Sequence, residues 1–230
     1  MTTLNIIYFV WINENKNYKK IIEGQLDDII NSGIIKVSNL YIECVCENNL
    51  LITEINTMFT KKLINIKYNL EMHNTNHYEY YGIKKMYDLA YEHPNSYFLY
   101  FHSKGMYNYD NINDRHIYEL TLTKGTLYLF EEVLETFNKN QNIMKIGLFP
   151  AINTRYQNFI WFNFYYARGS YLITCEKPII STNRFYYETW TESGNNQLGL
   201  IYNLYEKNFK KYELTEAGDI LNRLNGGFIR

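Results

Sequence analysis

The sequence predicts an α/β protein with a single, mostly parallel central sheet and helices on both faces, a Rossmann-like arrangement. Apolar runs of strand length alternate with segments whose apolar residues recur at helical spacing. Each strand-to-strand crossover in the first half spans about 20 to 30 residues, as right-handed parallel connections do. The chain has 230 residues, of which 46% are hydrophobic and 20% charged, which suits one folded domain spanning residues 1–230.

The first half of the chain supplies the parallel strands. Residues 4–12 form a nearly continuous apolar run, which is typical of a strand buried on both faces. Residues 18–31 place isoleucines and Leu26 on one helical face, and Gly33 follows as a stop signal. Further strands are expected at 39–48 and 64–72, with a short helix between them and another helix at 83–92.

A dense aromatic run, YFLYFHSKG at residues 97–105, predicts the fourth strand and the functional site. The turn residues at 94–96 precede it, and its rings favour extended structure. In open α/β sheets, ligands bind just beyond the carboxyl ends of the strands. His102, Ser103 and Lys104 are therefore the predicted floor of a binding cleft.

The second half is expected to complete the sheet and to cover the cleft. Apolar spacing predicts a helix over residues 117–137, with Gly125 as a weak point, and then a strand at 144–151. An aromatic stretch follows at 158–173, and a last helix is expected over residues 199–207. The boundary between a ligand-binding half, residues 1–110, and a second half, residues 111–230, falls in the polar loop after the fourth strand.

Composition and motifs exclude several classes of function. A net charge of -1 argues against a nucleic-acid partner. GxGxxG does not follow the first strand and GxxxxGK[ST] does not occur, which argues against dinucleotide oxidoreductases and P-loop nucleotidases. No apolar run is long enough to span a membrane, and the N-terminus has no basic signal region, so a cytoplasmic protein with reduced thiols is expected.

Two hydrolase hypotheses have little support. His73 and His77 are four residues apart, and Asp110 and Asp114 share that spacing, but the histidines lie in a polar loop without an HExxH pattern. Ser103 follows a strand but lacks the GxSxG elbow of serine hydrolases. Neither zinc chemistry nor serine chemistry is the preferred interpretation.

The order of several motifs resembles small glycosyltransferases of the type-A (GT-A) fold, most of all those of giant viruses and bacterial polysaccharide clusters. The matching segments are HSKG at 102–105, NFYYA at 163–167, and RFYYETW at 184–190, with VWIN at 10–13 and YEYYGIKKMYDLA at 78–90. The resemblance covers the chain to about residue 195. It implies a nucleotide-sugar donor, linked to UDP or GDP, over the first strands and a glycan or glycoprotein acceptor held by the second half.

The chain departs from most members of that family at the fourth strand, where Asp-x-Asp normally holds a divalent metal ion. His102-Ser103-Lys104 stands there instead. The Lys104 ammonium can neutralise the leaving pyrophosphate directly, while the His102 imidazole can donate a hydrogen bond or ligate Mn²⁺ or Mg²⁺. Both possibilities stay open.

Inverting transfer needs a base to take the proton of the acceptor hydroxyl. Glu188 is the candidate, Glu192 is its rival, and Glu188 also has the spacing to pair with Arg184 on a helix. Further residues are expected to bind the two substrates. The donor-side candidates are Trp11, Lys84, His102, Ser103 and Lys104, and the acceptor-side candidates are Trp161, Asn163, Tyr165, Arg168, Arg184 and Trp190. The alternative function is a degenerate transferase fold that binds a sugar, nucleotide or protein without turnover.

Overall fold

A computed structural model describes residues 3–103, 115–153, 156–195 and 200–203. Its strands are β1 (Leu4–Trp11), β2 (Ser38–Val45), β3 (Tyr68–His73), β4 (Tyr97–His102), β5 (Ile143–Gly147), β6 (Pro150–Asn153), β7 (Tyr156–Ile160), β8 (Tyr165–Arg168) and β9 (Leu200–Asn203). Its helices are α1 (Tyr18–Asn31), α2 (Ile52–Lys62), α3 (Tyr80–Glu92), α4 (Ile117–Leu127), α5 (Phe130–Lys139), α6 (Gly169–Leu172) and α7 (Phe185–Thr189).

Seven of these strands form the central sheet, in the order β3-β2-β1-β4-β8-β5-β9, and β6 and β7 form a separate antiparallel pair. Strands β1 to β4 run parallel, β8 is antiparallel to both of its neighbours, and β9 is parallel to β5. Phe9 is in register with Glu43 on one side and with His102 on the other. Strands β1, β2 and β4 therefore end together, at what we call the carboxyl edge.

Helices cover both faces of the sheet, as the sequence predicts. Apolar side chains of α1, α2, α4 and α5 form one buried cluster against one face, and those of α3 and α6 pack with Tyr187 against the other. The predicted α/β class with a mostly parallel sheet is confirmed. Within the described ranges, no helix combines the length and apolarity that crossing a bilayer would require.

Gly82 lets helix α3 lie directly against the sheet. A Cβ atom at Gly82 would come within 2.8 Å of the Tyr100 ring and 2.9 Å of the Phe9 Cβ atom. The missing side chain therefore lets the first turn of α3 rest directly on β1 and β4. This contact brings the start of α3 to the carboxyl edge.

Two predicted helices are wrong in part. The helix expected over residues 117–137 is divided into α4 and α5 around Tyr128 and Leu129. Gly125 lies inside α4, where a Cβ atom would come within 2.7 Å of Leu148, so its role is close packing. The helix expected over 199–207 is strand β9 at Leu200–Asn203, and the other residues of that segment lie outside the described part of the chain. Its pairing with β5, more than fifty residues away, overrides local spacing.

Candidate functional site

His102 ends β4 at the carboxyl edge, and its side chain is largely buried. Its Nε2 atom lies 2.9 Å from the backbone oxygen of Phe162. A carbonyl oxygen can only accept, so Nε2 carries the proton and donates. A carboxylate oxygen of Glu79 lies 3.9 Å from the same nitrogen. The imidazole therefore presents an N–H group between a carbonyl and a carboxylate.

Glu79 and Asn163 form the centre of this cluster. The Oε2 atom of Glu79 accepts hydrogen bonds from the Asn163 amide at 2.8 Å and from the Tyr100 hydroxyl at 3.1 Å. Burial raises the pKa of Tyr100 well above its ordinary value, so the phenol keeps the proton that it donates. The Asn163 amide also donates to the backbone oxygen of Tyr187 at 3.1 Å. One amide thus links the start of α3 to helix α7.

Several residues around the cluster have positive φ angles, which are unfavourable for any residue with a side chain. Phe162 and Asn163 have φ angles of 70° and 52°, and Tyr78, just before Glu79, has a φ of 52°. Asparagine tolerates this left-handed region, but a phenylalanine there costs about 1–2 kcal/mol. The conformation presents the Phe162 carbonyl to His102 and the Asn163 amide to Glu79, and strain of this kind is common at functional sites.

Ser103 and Trp11 join the ends of β4 and β1. The Ser103 hydroxyl accepts a hydrogen bond from the Trp11 backbone nitrogen at 3.3 Å, and Ser103 is buried. The Trp11 indole donates to the Glu47 carboxylate, 3.2 Å away, just beyond the end of β2. Three neighbouring strand ends therefore carry linked polar groups. Lys104 follows Ser103 in the sequence and lies outside the described residues.

A buried polar network supports the strand end from the opposite face of the sheet. The Gln25 amide donates to the His102 backbone oxygen at 3.2 Å and to Glu119 at 2.9 Å, and its oxygen accepts from Tyr8 at 2.7 Å. Arg115 lies 2.6 Å from carboxylate oxygens of both Asp28 and Glu119. Side chains of helices α1 and α4 thereby hold the backbone of His102 in place.

Three of the predicted acceptor residues are buried structural residues, which corrects their assignment. Trp190 packs edge-to-face on Tyr87, and its indole donates to the Glu176 backbone oxygen at 2.9 Å. Tyr165 is buried in the core, where its ring lies beside that of Tyr100. Their aromatic surface is enclosed by the core, so neither ring can stack on a sugar.

Arg168 lies at the opposite edge of the sheet, where β4 begins, because it is in register with Tyr97. Its guanidinium is buried and donates to the backbone oxygens of Phe137, Asn140 and Ile143. It satisfies carbonyls at the end of α5 rather than contacting an acceptor at the carboxyl edge.

The other candidates occupy more accessible positions. Glu188 is half-buried on α7, Glu192 is exposed in the turn after it, and Trp161 is half-buried beside Phe159. Arg184 is exposed, with its guanidinium carbon 4.9 Å from the centre of the Phe185 ring.

Lys84 pairs with Asp88 one turn along α3. Among the predicted residues that the structure describes, Trp11 and Ser103 share a hydrogen bond at the carboxyl edge, and His102 and Asn163 both lie beside Glu79 there.

One group of described side chains could hold a metal ion. Single ligand atoms of Glu43, Glu71 and His73 all lie within 4.8 Å of one another. The Lys85 ammonium already pairs with both carboxylates, and His73 Nε2 lies 2.7 Å from Glu43. The protein's own cation therefore supplies the positive charge there. At His102, the Nε2 proton points to the Phe162 carbonyl, which prevents that atom from ligating a metal in this arrangement.

Sequence reasoning missed both Glu79 and Glu47 as site residues. Both carry a recoverable signal. Glu47 follows β2 within two residues, and Glu79 immediately precedes the helix that leads into β4. Carboxylates at such connections face the carboxyl edge of a parallel sheet. The contact between Glu79 and Asn163, 84 residues apart, has no local signature.

Comparisons with known proteins give a distant similarity only. No protein-family model matches the chain, and no curated protein sequence matches it. Among solved structures, the chain is similar to a 4-diphosphocytidyl-2C-methyl-D-erythritol synthase, with a TM-score of 0.44 and 10% sequence identity. The match covers 97% of this chain and 99% of that one. Similarity at this level identifies no activity.

Proposed function

We propose that the protein is a glycosyltransferase that moves a sugar from a UDP- or GDP-linked donor to a glycan or protein-linked acceptor. The observation that supports this most is the cluster of His102, Glu79 and Asn163 at the carboxyl edge of a parallel sheet. Ligands of open α/β sheets bind at that edge. A partly buried set of fixed donors and acceptors is suited to holding a polar substrate there.

The donor side of the proposed site consists of Trp11, His102, Ser103 and Lys104. When the acceptor hydroxyl attacks the anomeric carbon, the bond from that carbon to the diphosphate oxygen breaks and the nucleoside diphosphate leaves. The leaving group gains negative charge, which the Lys104 ammonium can stabilise. Trp11, at the end of β1, offers an indole face to the base or the ribose.

The acceptor side includes Asn163 and helix α7. Glu188 is the proposed base that takes the acceptor hydroxyl proton as the new glycosidic bond forms. Its neighbour Tyr187 accepts a hydrogen bond from Asn163, the residue that also binds Glu79. This bond holds the backbone next to Glu188 beside the Glu79 carboxylate, which supports a role for α7 at the site. Glu192, exposed in the following turn, is the rival for the base.

The alternative is a transferase-like fold that binds a sugar or a nucleotide without turnover. The replacement of Asp-x-Asp by His102-Ser103-Lys104 is the specific feature that favours it. A binding module needs no base, so the two functions differ in what happens after the donor binds.

Calorimetric titration with UDP, GDP, CMP and their sugar conjugates tests the proposal, first with Mn²⁺ and then with a chelator. ADP serves as the ligand control. We expect selective binding of one nucleotide, followed by release of the nucleoside diphosphate when its sugar conjugate is incubated with a glycan acceptor. Binding without release would favour the binding module, and binding of no nucleotide would overturn the donor site. Loss of binding in chelator would show that an ion acts beside His102.

A further inference from the structure

A cavity of about 320 Å³ lies at the start of β4, at the edge of the sheet opposite the carboxyl edge. Arg168 forms part of its wall, and the side chain is buried, with 7% of the residue exposed. A volume of this size is at the lower end of the range for small-molecule sites. The other polar wall groups are mainly hydroxyls and amides, from Asn95, Ser96, Asn138, Gln141 and Ser170. The described lining residues thus include one cation and no carboxylate.

The charge of Arg168 has no carboxylate partner among the described residues, because its hydrogen bonds all go to neutral oxygens. Glu92 and Glu135 are the carboxylates nearest to the wall along the chain, and they pair with His93 and Lys139 instead. Burying a cation without a counter-ion is costly. The carbonyls at the end of α5 offset part of that cost. An anion in the cavity would offset more of it.

One guanidinium nitrogen of Arg168 lies on the cavity side. Nε donates to the backbone oxygen of Ile143 at 2.7 Å, and Nη2 donates to those of Phe137 and Asn140 at 2.5 Å and 3.0 Å. None of these three acceptor residues lines the cavity. Nη1 has one partner in the described part of the chain, the Tyr97 hydroxyl at 3.4 Å, and Tyr97 does line the cavity. Since Nη1 carries two N–H groups and makes one long hydrogen bond, it can also donate to a ligand.

Further donors lie on the same wall. The Tyr97 hydroxyl donates to the Asn138 side-chain oxygen at 3.0 Å, which leaves the Asn138 amide hydrogens available. Within the described ranges, the hydroxyls of Ser96 and Ser170 make no hydrogen bond to the protein. The available donors therefore come from the turn before β4, the end of α5 and the start of α6.

This donor arrangement distinguishes between classes of anion. A carboxylate is bound best by two parallel N–H groups of one guanidinium, and in Arg168 both Nε and Nη2 are already occupied by carbonyls. A tetrahedral oxyanion presents acceptor oxygens in several directions. Donors from three separate elements suit that shape better than they suit a planar carboxylate.

We propose that this cavity binds a phosphate group, either as inorganic phosphate or as part of a small phosphate monoester. Nη1 of Arg168 supplies the charge-assisted hydrogen bond, and the hydroxyls and amides of the wall donate to the remaining oxygens. The cavity is separate from the candidate donor site, because Tyr97 and His102 are the opposite ends of β4 and lie about 17 Å apart. The proposal does not rest on the transfer chemistry.

Calorimetric titration of the full chain with sodium phosphate, glycerol 3-phosphate and sodium acetate tests the proposal, with ionic strength held constant by chloride. The test variant is Asn138→Asp/Gln141→Glu, which keeps the shape of two exposed wall residues and adds two carboxylates. The matched control is Asn65→Asp/Asn69→Asp, which adds the same charge at exposed positions on and before β3. Circular dichroism and thermal unfolding establish that both variants fold.

We expect the wild type and the control to bind phosphate equally, and the test variant to bind it about tenfold more weakly or worse, because its carboxylates repel the anion. Lys104→Ala should bind phosphate as the wild type does. Tighter binding of glycerol 3-phosphate than of phosphate would identify a monoester as the ligand, and equal binding would identify the phosphate group alone.

Unchanged affinity in the test variant would overturn the proposal, as would absence of wild-type binding at about 10 mM phosphate, a concentration at which even a weak site is occupied. Loss of binding in Lys104→Ala, with binding kept in the test variant, would place the phosphate at the donor site instead. Acetate binding as tight as phosphate binding would contradict the assignment to a tetrahedral anion.

Discussion

The amide of Asn163 donates a hydrogen bond to the carboxylate of Glu79 at 2.8 Å, and the same amide donates to the backbone oxygen of Tyr187 at 3.1 Å. The bond connects the residue before α3 with the turn before β8, across 84 residues of sequence. Asn163 itself has a positive φ angle, and so does Tyr78, the residue before Glu79. The site therefore depends on a contact that holds two strained turns together.

Replacement of Asn163 tests that contact. Asn163→Ala removes both hydrogen bonds and should lower the free energy of unfolding by about 1–3 kcal/mol, measured by urea denaturation. Asn163→Asp should be worse at neutral pH, because it sets a second carboxylate against Glu79. Asn65→Ala is the control, since Asn65 is exposed and has a φ of 65°, so it reports the backbone cost alone. Equal losses at the two positions would contradict the role given to the amide.

Substitutions at Gly82 and Gly33 distinguish two reasons why a position requires glycine. The first reason is close packing, at Gly82, and the second is a positive φ angle, at Gly33. Gly82→Ala should lower stability by about 1–3 kcal/mol despite the better helix propensity of alanine, because the added Cβ meets Tyr100 and Phe9. Gly33→Ala meets nothing within 4 Å but must adopt a φ of 79°. Asparagine should rescue Gly33 and not Gly82. Rescue at both positions, measured by thermal unfolding, would show that the close approach of α3 is not needed.

Lys145 should make stability depend on pH. Its ammonium is buried against the Tyr171 hydroxyl at 2.8 Å and the Thr191 backbone oxygen at 3.2 Å, and burial lowers its pKa to about 7 from 10.5. Between these two values the unfolded chain holds a proton that the folded chain releases, so stability rises with pH. Relative to Lys145→Met, the wild type should gain about 1 kcal/mol per pH unit from pH 7 to 9.

Other groups that titrate in this pH range are present in both the wild type and Lys145→Met. Their contributions to the pH dependence of stability therefore cancel when the two proteins are compared. Lys139→Met is the control, as Lys139 is exposed on α5 and pairs with Glu135. Its difference from the wild type should not change with pH. Parallel pH profiles for the wild type and Lys145→Met would show that the folded protein keeps the Lys145 ammonium charged.

Lys104→Ala tests the proposed contact with the pyrophosphate. Loss of one ammonium should weaken binding of the selected nucleoside diphosphate about tenfold, or 1.4 kcal/mol, as measured by calorimetry. Lys139→Ala matches the change in charge at a distant helix and should bind as the wild type does. Unchanged affinity in Lys104→Ala would remove this residue from the donor site.

Glu188→Gln tests the proposed base. The amide cannot take a proton, so transfer should fall below detection while nucleotide affinity is kept. Glu192→Gln is the matched variant, and it should retain activity. The opposite pattern would assign the base to Glu192, and normal turnover in both variants would contradict a base on or just after α7.

The local sequence pattern was sufficient to predict most of the secondary structure in the first half of the chain. The continuous apolar run of β1 and the helical spacing of α1 both specify their element without help from distant residues, and α1 has the predicted bounds, Tyr18–Asn31. The position of His102 and Ser103 at a strand end was predictable for the same reason. Aromatic strand formers stop there, and polar residues follow.

Other features depend on tertiary structure and could not be predicted from the local sequence pattern. Strand β9 forms because β5 offers a parallel partner, and the pairing is invisible in the local sequence. Trp190, Tyr165 and Arg168 are residue types that suit a sugar site, yet packing buries all three. Glu79 looks like an ordinary loop carboxylate until Asn163 is brought to it. The sequence by itself determined most elements of the first half and the strand end that carries the candidate site. Only packing and long-range hydrogen bonds decided which side chains meet there, because those energies depend on neighbours that are remote along the chain.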